Sequence, residues 1–156
     1  MRGRFAPFVI GSGLLALGAV TPLFAVYAWW LNEPAGGCLA ASALSLAFGW
    51  TLRRLGDPAS EPSRREALLA VLLLWVVLPL LGGIPFFHSP DYSPLNSVFE
   101  AVSGFTATGA TTLRDFDSLP VSMFLYRSFS QWVGGIGIIL IFLAVYGVMC
   151  IMDAKR

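Results

Sequence analysis

Residues 96–112 read NSVFEAVSGFTATGATT, a stretch too polar for a lipid-facing helix that lies between two strongly hydrophobic segments. Its first part, residues 96–105, has the pattern of a short, mostly apolar helix with Glu100 in the middle. At about 1.5 Å per residue such a helix covers roughly half of a hydrocarbon core of about 30 Å. The second part, Thr106-Ala107-Thr108-Gly109-Ala110-Thr111, is a run of small and hydroxyl residues around a glycine. Glycine accepts positive φ without a Cβ clash, so a backbone of this composition can turn successive carbonyls toward one axis. The pattern predicts a re-entrant pore helix followed by a filter loop. Ala107, Thr108, Gly109, Ala110 and Thr111 are its expected ion-binding positions, with a dehydrated monovalent cation as the natural ligand. The negative end of the helix dipole then faces the loop, which favours a cation over an anion. Irregular backbone at membrane depth is tolerated only where protein or a water-filled cavity surrounds it, so neighbours on both sides are implied.

The composition agrees with a membrane setting. Of 156 residues 56 % are hydrophobic and only 12 % charged, and the mean hydropathy is +0.74. About a quarter of the residues of a soluble domain are charged, so the class is all-α integral membrane. The net charge of +1 says little about partners, because in a membrane chain the placement of charge matters more than its sum. Cys38 and Cys150 both lie in apolar runs and suggest neither a disulfide framework nor a metal site. A single histidine, His88, rules out a histidine metal cluster within one chain and a catalytic cluster of histidines. Ala101-Val102-Ser103-Gly104 is one residue away from the Gly-x-Ser-Gly of an intramembrane serine protease. With His88 in an outer loop and Ser103 in a short helix, a catalytic dyad is not expected, and the chain is not read as an enzyme.

Working outward from the central stretch, residues 5–31 carry no charge, enough for a tilted span that Pro7 and Pro22 can kink. This run far exceeds the hydrophobic core of a signal peptide, about 7–15 residues. After the turn Asn32-Glu33-Pro34, residues 35–52 return antiparallel, which makes 1–52 a transmembrane hairpin. Residues 53–66 (RRLGDPASEPSRRE) form a basic loop, cytoplasmic by the positive-inside rule. Residues 67–87 are a third span, and Pro79, Gly82 and Gly83 suggest a kink or close helix contact near its outer end. Ser93-Pro94 reads as an N-cap and first-turn proline that launches the pore helix. A fourth span runs from about 119 to 152, with Asp117 or Ser118 as its expected cap, and 153–156 is a cytoplasmic tail. Arg2, Arg4, Arg53, Arg54, Arg64, Arg65, Lys155 and Arg156 then share the inner side, with Arg114 outside and Arg127 in the membrane. Residues 67–152 thus form one unit of helix, pore loop and helix, and both termini are cytoplasmic.

Glu100 and Arg127 are the charges expected within the membrane thickness. Each is costly there unless paired, so they are predicted to lie within reach of each other as structural support for the loop. Gly134, Gly135 and Gly137 read as close helix contacts. The five tryptophans read as interface anchors or packing residues. Glu33, Asp91, Asp115 and Asp117 are expected to raise the cation concentration outside.

Residues 99–111, Phe-Glu-Ala-Val-Ser-Gly-Phe-Thr-Ala-Thr-Gly-Ala-Thr, followed by 126–137, Tyr-Arg-Ser-Phe-Ser-Gln-Trp-Val-Gly-Gly-Ile-Gly, resemble the first repeat of the Trk/Ktr family of potassium-transporter membrane subunits, TrkH type. The similarity covers residues 68 to about 149, and the hairpin before it resembles the two extra N-terminal helices of that type. The resemblance implies K⁺ uptake across the bacterial inner membrane, with Gly109 as the filter glycine. It also implies a cytosolic nucleotide-binding regulatory subunit. The family builds its pore from four such repeats in one chain and one is present here, so further pore repeats or self-association are expected. The alternative is a truncated, non-conducting fragment or assembly subunit. Membrane lipid is the remaining partner, and neither nucleic acid nor a cofactor beyond transported K⁺ is expected.

Overall fold

Twenty-six consecutive uncharged residues build the first helix, α1 (Phe5–Trp30), which carries Pro22 in its interior. The computed structural model describes residues 4–60, 62–88, 93–113 and 119–153. Four further helices follow: α2 (Gly36–Leu55), α3 (Arg64–Gly82), α4 (Pro94–Phe105) and α5 (Val121–Asp153), with a 3₁₀ turn at Ile84–His88 between α3 and α4. The described residues contain no strand.

The α1–α2 hairpin is held by small residues. On α1 the buried positions include Gly11, Leu14, Gly18, Ala25 and Ala28, spaced by threes, fours and sevens so that they fall on one face. On α2 the matching stripe is Cys38, Ala41, Ser42, Ser45 and Gly49. A Cβ added at Gly11 would lie 2.7 Å from the Gly49 carbonyl oxygen, so the backbones touch there. Higher up, the Ser42 hydroxyl donates to the Gly18 carbonyl at 2.7 Å. Numbers fall on α2 as they rise on α1, so the two helices are antiparallel, as expected. Between apolar helices in lipid such close approach and interhelical hydrogen bonding take over from the hydrophobic effect.

The third helix opens with Ser63 accepting from the Glu66 amide at 3.3 Å, the geometry expected of Ser-x-x-Glu. Its α-helical part is shorter than the span expected over 67–87, giving way after Gly82 to the 3₁₀ turn, at the Gly82-Gly83 pair where the sequence suggests a kink. The loop expected over 53–66 is also shorter. Arg53 and Arg54 remain in the last turn of α2, where cations suit the negative end of the helix dipole.

A core joins the hairpin to the rest at the α1–α2 turn end. Phe24, Cys38, Phe86, Ala101, Met123 and Tyr126 pack there, drawn from α1, α2, the 3₁₀ turn, α4 and α5. Tyr126 is fully buried, meets Phe24 edge-on at 5.3 Å between ring centres, and donates its hydroxyl to the Gly82 carbonyl at 2.8 Å. A buried phenol needs such a partner, and here the bond locks the end of α3 to α5. The outer surface is apolar. Leu68, Leu72, Val76 and Leu80 expose one face of α3, and Trp29 and Trp30 stand out at the turn end, 78 % and 76 % exposed. Two segments, Phe5–Trp30 and Arg65–Phe87, are long and apolar enough to cross a membrane by themselves.

Candidate functional site

The N-terminus of α4 is built as the sequence implies. The Ser93 hydroxyl accepts from the Asn96 amide at 3.2 Å and Pro94 occupies the first turn, where a missing N–H costs nothing. From there α4 descends beside α5 with Ser97, Glu100, Ala101, Ser103, Gly104 and Phe105 buried. Its lower end presses on Gly134. A Cβ at that position would come within 2.7 Å of the Gly104 carbonyl oxygen, and a side chain on Gly104 would collide with the Ser130 hydroxyl. Gly137 lies against the Trp75 ring, while Gly135 has open space. Two of the three glycines therefore serve packing.

Helix α4 ends at Phe105, and the chain turns at Ala107. The Ala107 amide donates to the Gly104 carbonyl at 2.8 Å and the Thr108 amide to the Ser103 carbonyl at 3.0 Å. These are the two reversed bonds of a Schellman ending, with Ala107 in the left-handed position usually given to glycine, at φ 54°. Gly109 follows at φ 76°, with nothing within 4 Å of where its Cβ would be. Glycine there serves backbone conformation, not lack of space.

Past Gly109 the chain climbs back along the helix it has just left. The Ser103 hydroxyl donates to the Ala110 carbonyl, and Glu100, one turn higher, accepts from the Thr111 hydroxyl at 2.6 Å and the Thr112 amide at 2.7 Å. Arg127 closes the arrangement. Its Nε donates to the other Glu100 oxygen at 2.8 Å, and its Nη2 to the Ala110 carbonyl at 3.2 Å. Glu100 is fully buried and Arg127 nearly so. The pair foreseen from the cost of lone charges is a direct salt bridge. Both carboxylate oxygens of Glu100 are thereby engaged.

Of the expected ion-binding positions, Ala107, Thr108, Gly109 and Ala110 are exposed and Thr111 is half-buried. Thr106 and Thr108 share a hydroxyl hydrogen bond at 2.8 Å on the same loop. Ser103, considered above as a nucleophile, is used in holding the loop.

Sequence reasoning missed Glu33. Its two carboxylate oxygens accept from the Val121 and Ser122 amides at 2.9 Å each, so the α1–α2 turn caps α5. Partial burial pushes this carboxyl up, but hydrogen bonds from Ser122 and from the Val121 backbone outweigh it and hold the pKa below the ordinary value. A contact across 88 residues leaves no local signal. The expected cap at Asp117 or Ser118, together with Asp91, Arg114, Asp115 and the tail residues Lys155 and Arg156, lies outside the described residues.

Residues 38–152 match the TrkH family, described as cation transport protein. The chain belongs to the TrkH family. The Trk system potassium uptake protein TrkH of Salmonella typhimurium strain LT2 is 40 % identical over 111 residues, which are 70 % of this chain and 22 % of that protein. An uncharacterised cation transporter of Methanocaldococcus jannaschii is 36 % identical over 95 residues, 60 % of this chain and 20 % of its own length. The Trk system potassium uptake protein TrkG of Escherichia coli K12 is 31 % identical over 93 residues, 58 % and 19 % of the two chains. The chain thus spans about a fifth of the length of these curated relatives. TrkH-family membership makes it an all-helical integral membrane protein of a transporter family, not an enzyme.

Proposed function

We propose that the chain supplies one K⁺-selective filter segment of a Trk-type potassium uptake pore, with Ala107 to Thr111 lining the ion path and Glu100 with Arg127 holding that lining in place. The observation that carries this reading is the in-and-out path of residues 94–113. The helix descends to Gly134, the chain reverses at Ala107 and returns beside Glu100, leaving 107–110 uncovered. Exposed irregular backbone is stable at membrane depth only against water or more protein, so the uncovered side of the loop is the side that faces the ion path. The names of the potassium uptake relatives supply the ion.

In this reading α2 and α5 cross the bacterial inner membrane with α1 and α3, four spans in all, and α4 is the re-entrant half-helix. Both termini then face the cytoplasm. The chain holds one such loop, so a closed filter takes three more, from further repeats or from self-association. A cytosolic nucleotide-binding subunit would dock on the inner face of the assembled pore. The test places this repeat first in a full-length four-repeat chimera and measures K⁺ uptake with and without competing Na⁺. Gly109→Ser is expected to lower K⁺ preference more than membrane abundance, because a side chain there disturbs the positive-φ backbone or adds a hydroxyl ligand for a smaller ion. Unchanged selectivity at normal abundance would remove Ala107 to Thr111 from the filter, and a chimera inert with the unaltered repeat would favour a non-conducting subunit.

A further inference from the structure

At the far end of the α1–α2 hairpin, away from the loop, a cavity of about 390 Å³ is lined by Phe8, Leu15, Trp50, Arg53, Arg54 and Pro58. Phe8 and Leu15 lie two turns apart on one face of α1, roughly 10 Å along the helix. Trp50, Arg53 and Arg54 follow the i, i+3, i+4 spacing that puts them together on α2. The floor is closed, since Gly11 brings the α1 backbone against α2 there. Each guanidinium lies over an aromatic ring, Arg53 over Phe8 at 5.4 Å and Arg54 over Trp50 at 4.7 Å. Among the described residues neither has a carboxylate partner. The nearby Asp57 instead turns Oδ1 back to accept from the Ala59 amide at 3.0 Å.

We propose that this slot binds one anionic phospholipid, its phosphate on Arg53 and Arg54 and an acyl chain along Leu15 and Trp50. The proposal rests on the reading that α1 and α2 span a bilayer. A guanidinium stacked on a ring keeps its N–H edge free for bidentate donation to phosphate oxygens. The apolar wall below the two cations is what a water-soluble anion leaves unused, and a zwitterionic headgroup leaves the positive charge uncompensated. An anionic amphiphile satisfies both parts of the slot, and basic pockets between membrane helices take such headgroups.

Trp50 reports on its own site. In the full chain with Trp29, Trp30, Trp75 and Trp132 changed to Phe, reconstituted in bilayers, its fluorescence is quenched by phosphatidylglycerol or phosphatidylcholine carrying brominated acyl chains. Stronger quenching by the anionic lipid is expected, with the preference falling about fivefold for each of Arg53→Gln and Arg54→Gln. Leu15→Trp read by native mass spectrometry, which fills the slot and leaves both arginines, should lose retained phosphatidylglycerol while keeping the helix content. Equal quenching by both lipids would overturn the lipid site alone. A preference abolished by excess inorganic phosphate would make it a free-anion site and overturn it too. Absence of quenching by either lipid would instead overturn the spanning hairpin on which the proposal rests.

Discussion

At Glu100 four donors converge on a single buried carboxylate: the Thr111 hydroxyl, the Thr112 amide and hydroxyl, and Arg127. A lone charge at the centre of a bilayer costs roughly 2.5–3.5 kcal/mol on insertion scales, and this geometry offsets it by pairing and by hydrogen bonds to both oxygens. Removing one partner leaves the other buried and uncompensated. Arg127→Met is therefore expected to cost about 3–5 kcal/mol in equilibrium unfolding from mixed micelles. The double variant Glu100→Leu with Arg127→Met should cost clearly less than the two single changes added together. Additive losses would mean that the salt bridge does not brace the loop. Ala107 represents the opposite case, a strained residue kept in a left-handed turn at φ 54°, where a Cβ makes the backbone less favourable than glycine would.

Among the elements, α5 has the arrangement that local patterning missed. Its first amides are capped by a carboxylate from the turn between α1 and α2, so the hairpin holds the helix that carries Arg127. Glu33 has a folded pKa below its unfolded value of about 4.3, so the folded state binds fewer protons in that range. Its stabilisation is complete above the unfolded pKa and disappears as pH falls through the lower folded one. Thermal midpoints in detergent should thus drop more steeply below about pH 4.3 for the unaltered chain than for Glu33→Gln. At neutral pH the variant should already be less stable, because Gln has one acceptor oxygen for two amides. Parallel pH profiles would show that the cap contributes nothing.

For the whole molecule, the proposed orientation follows from where the arginines fall. Loop residues 56–60, 62 and 63 lie at the opposite end of the helices from the α1–α2 turn, and Arg53, Arg54, Arg64 and Arg65 flank that loop. In the proposed orientation the positive-inside rule puts it on the cytoplasmic side. In a background lacking Cys38 and Cys150, Ala59→Cys should react with a membrane-impermeant thiol reagent only after the cells are opened. Pro34→Cys should react in intact cells. The reverse pattern would invert the topology and move the proposed filter loop to the inner side.

Sequence alone determined the membrane class, the antiparallel hairpin, the Ser93-Pro94 start of α4 and the need of Glu100 for Arg127. Each follows from local composition or from the cost of a lone charge, and none of the four depends on knowing the rest of the packing. The left-handed turn at Ala107 was not legible, because alanine carries no signal for positive φ and only the two reversed bonds to Ser103 and Gly104 hold it there. Nor were the Tyr126 tie to Gly82 and the Glu33 cap, since both join residues far apart in the chain through groups that look unremarkable in sequence. The persistence of α2 through Arg53 and Arg54 was not legible either, whereas α3 ends at Gly82, where Pro79, Gly82 and Gly83 already suggest a kink. Hydropathy marks where apolar runs lie, whereas a backbone reversal held by long-range partners and hydrogen bonds between distant residues form only once the elements have met.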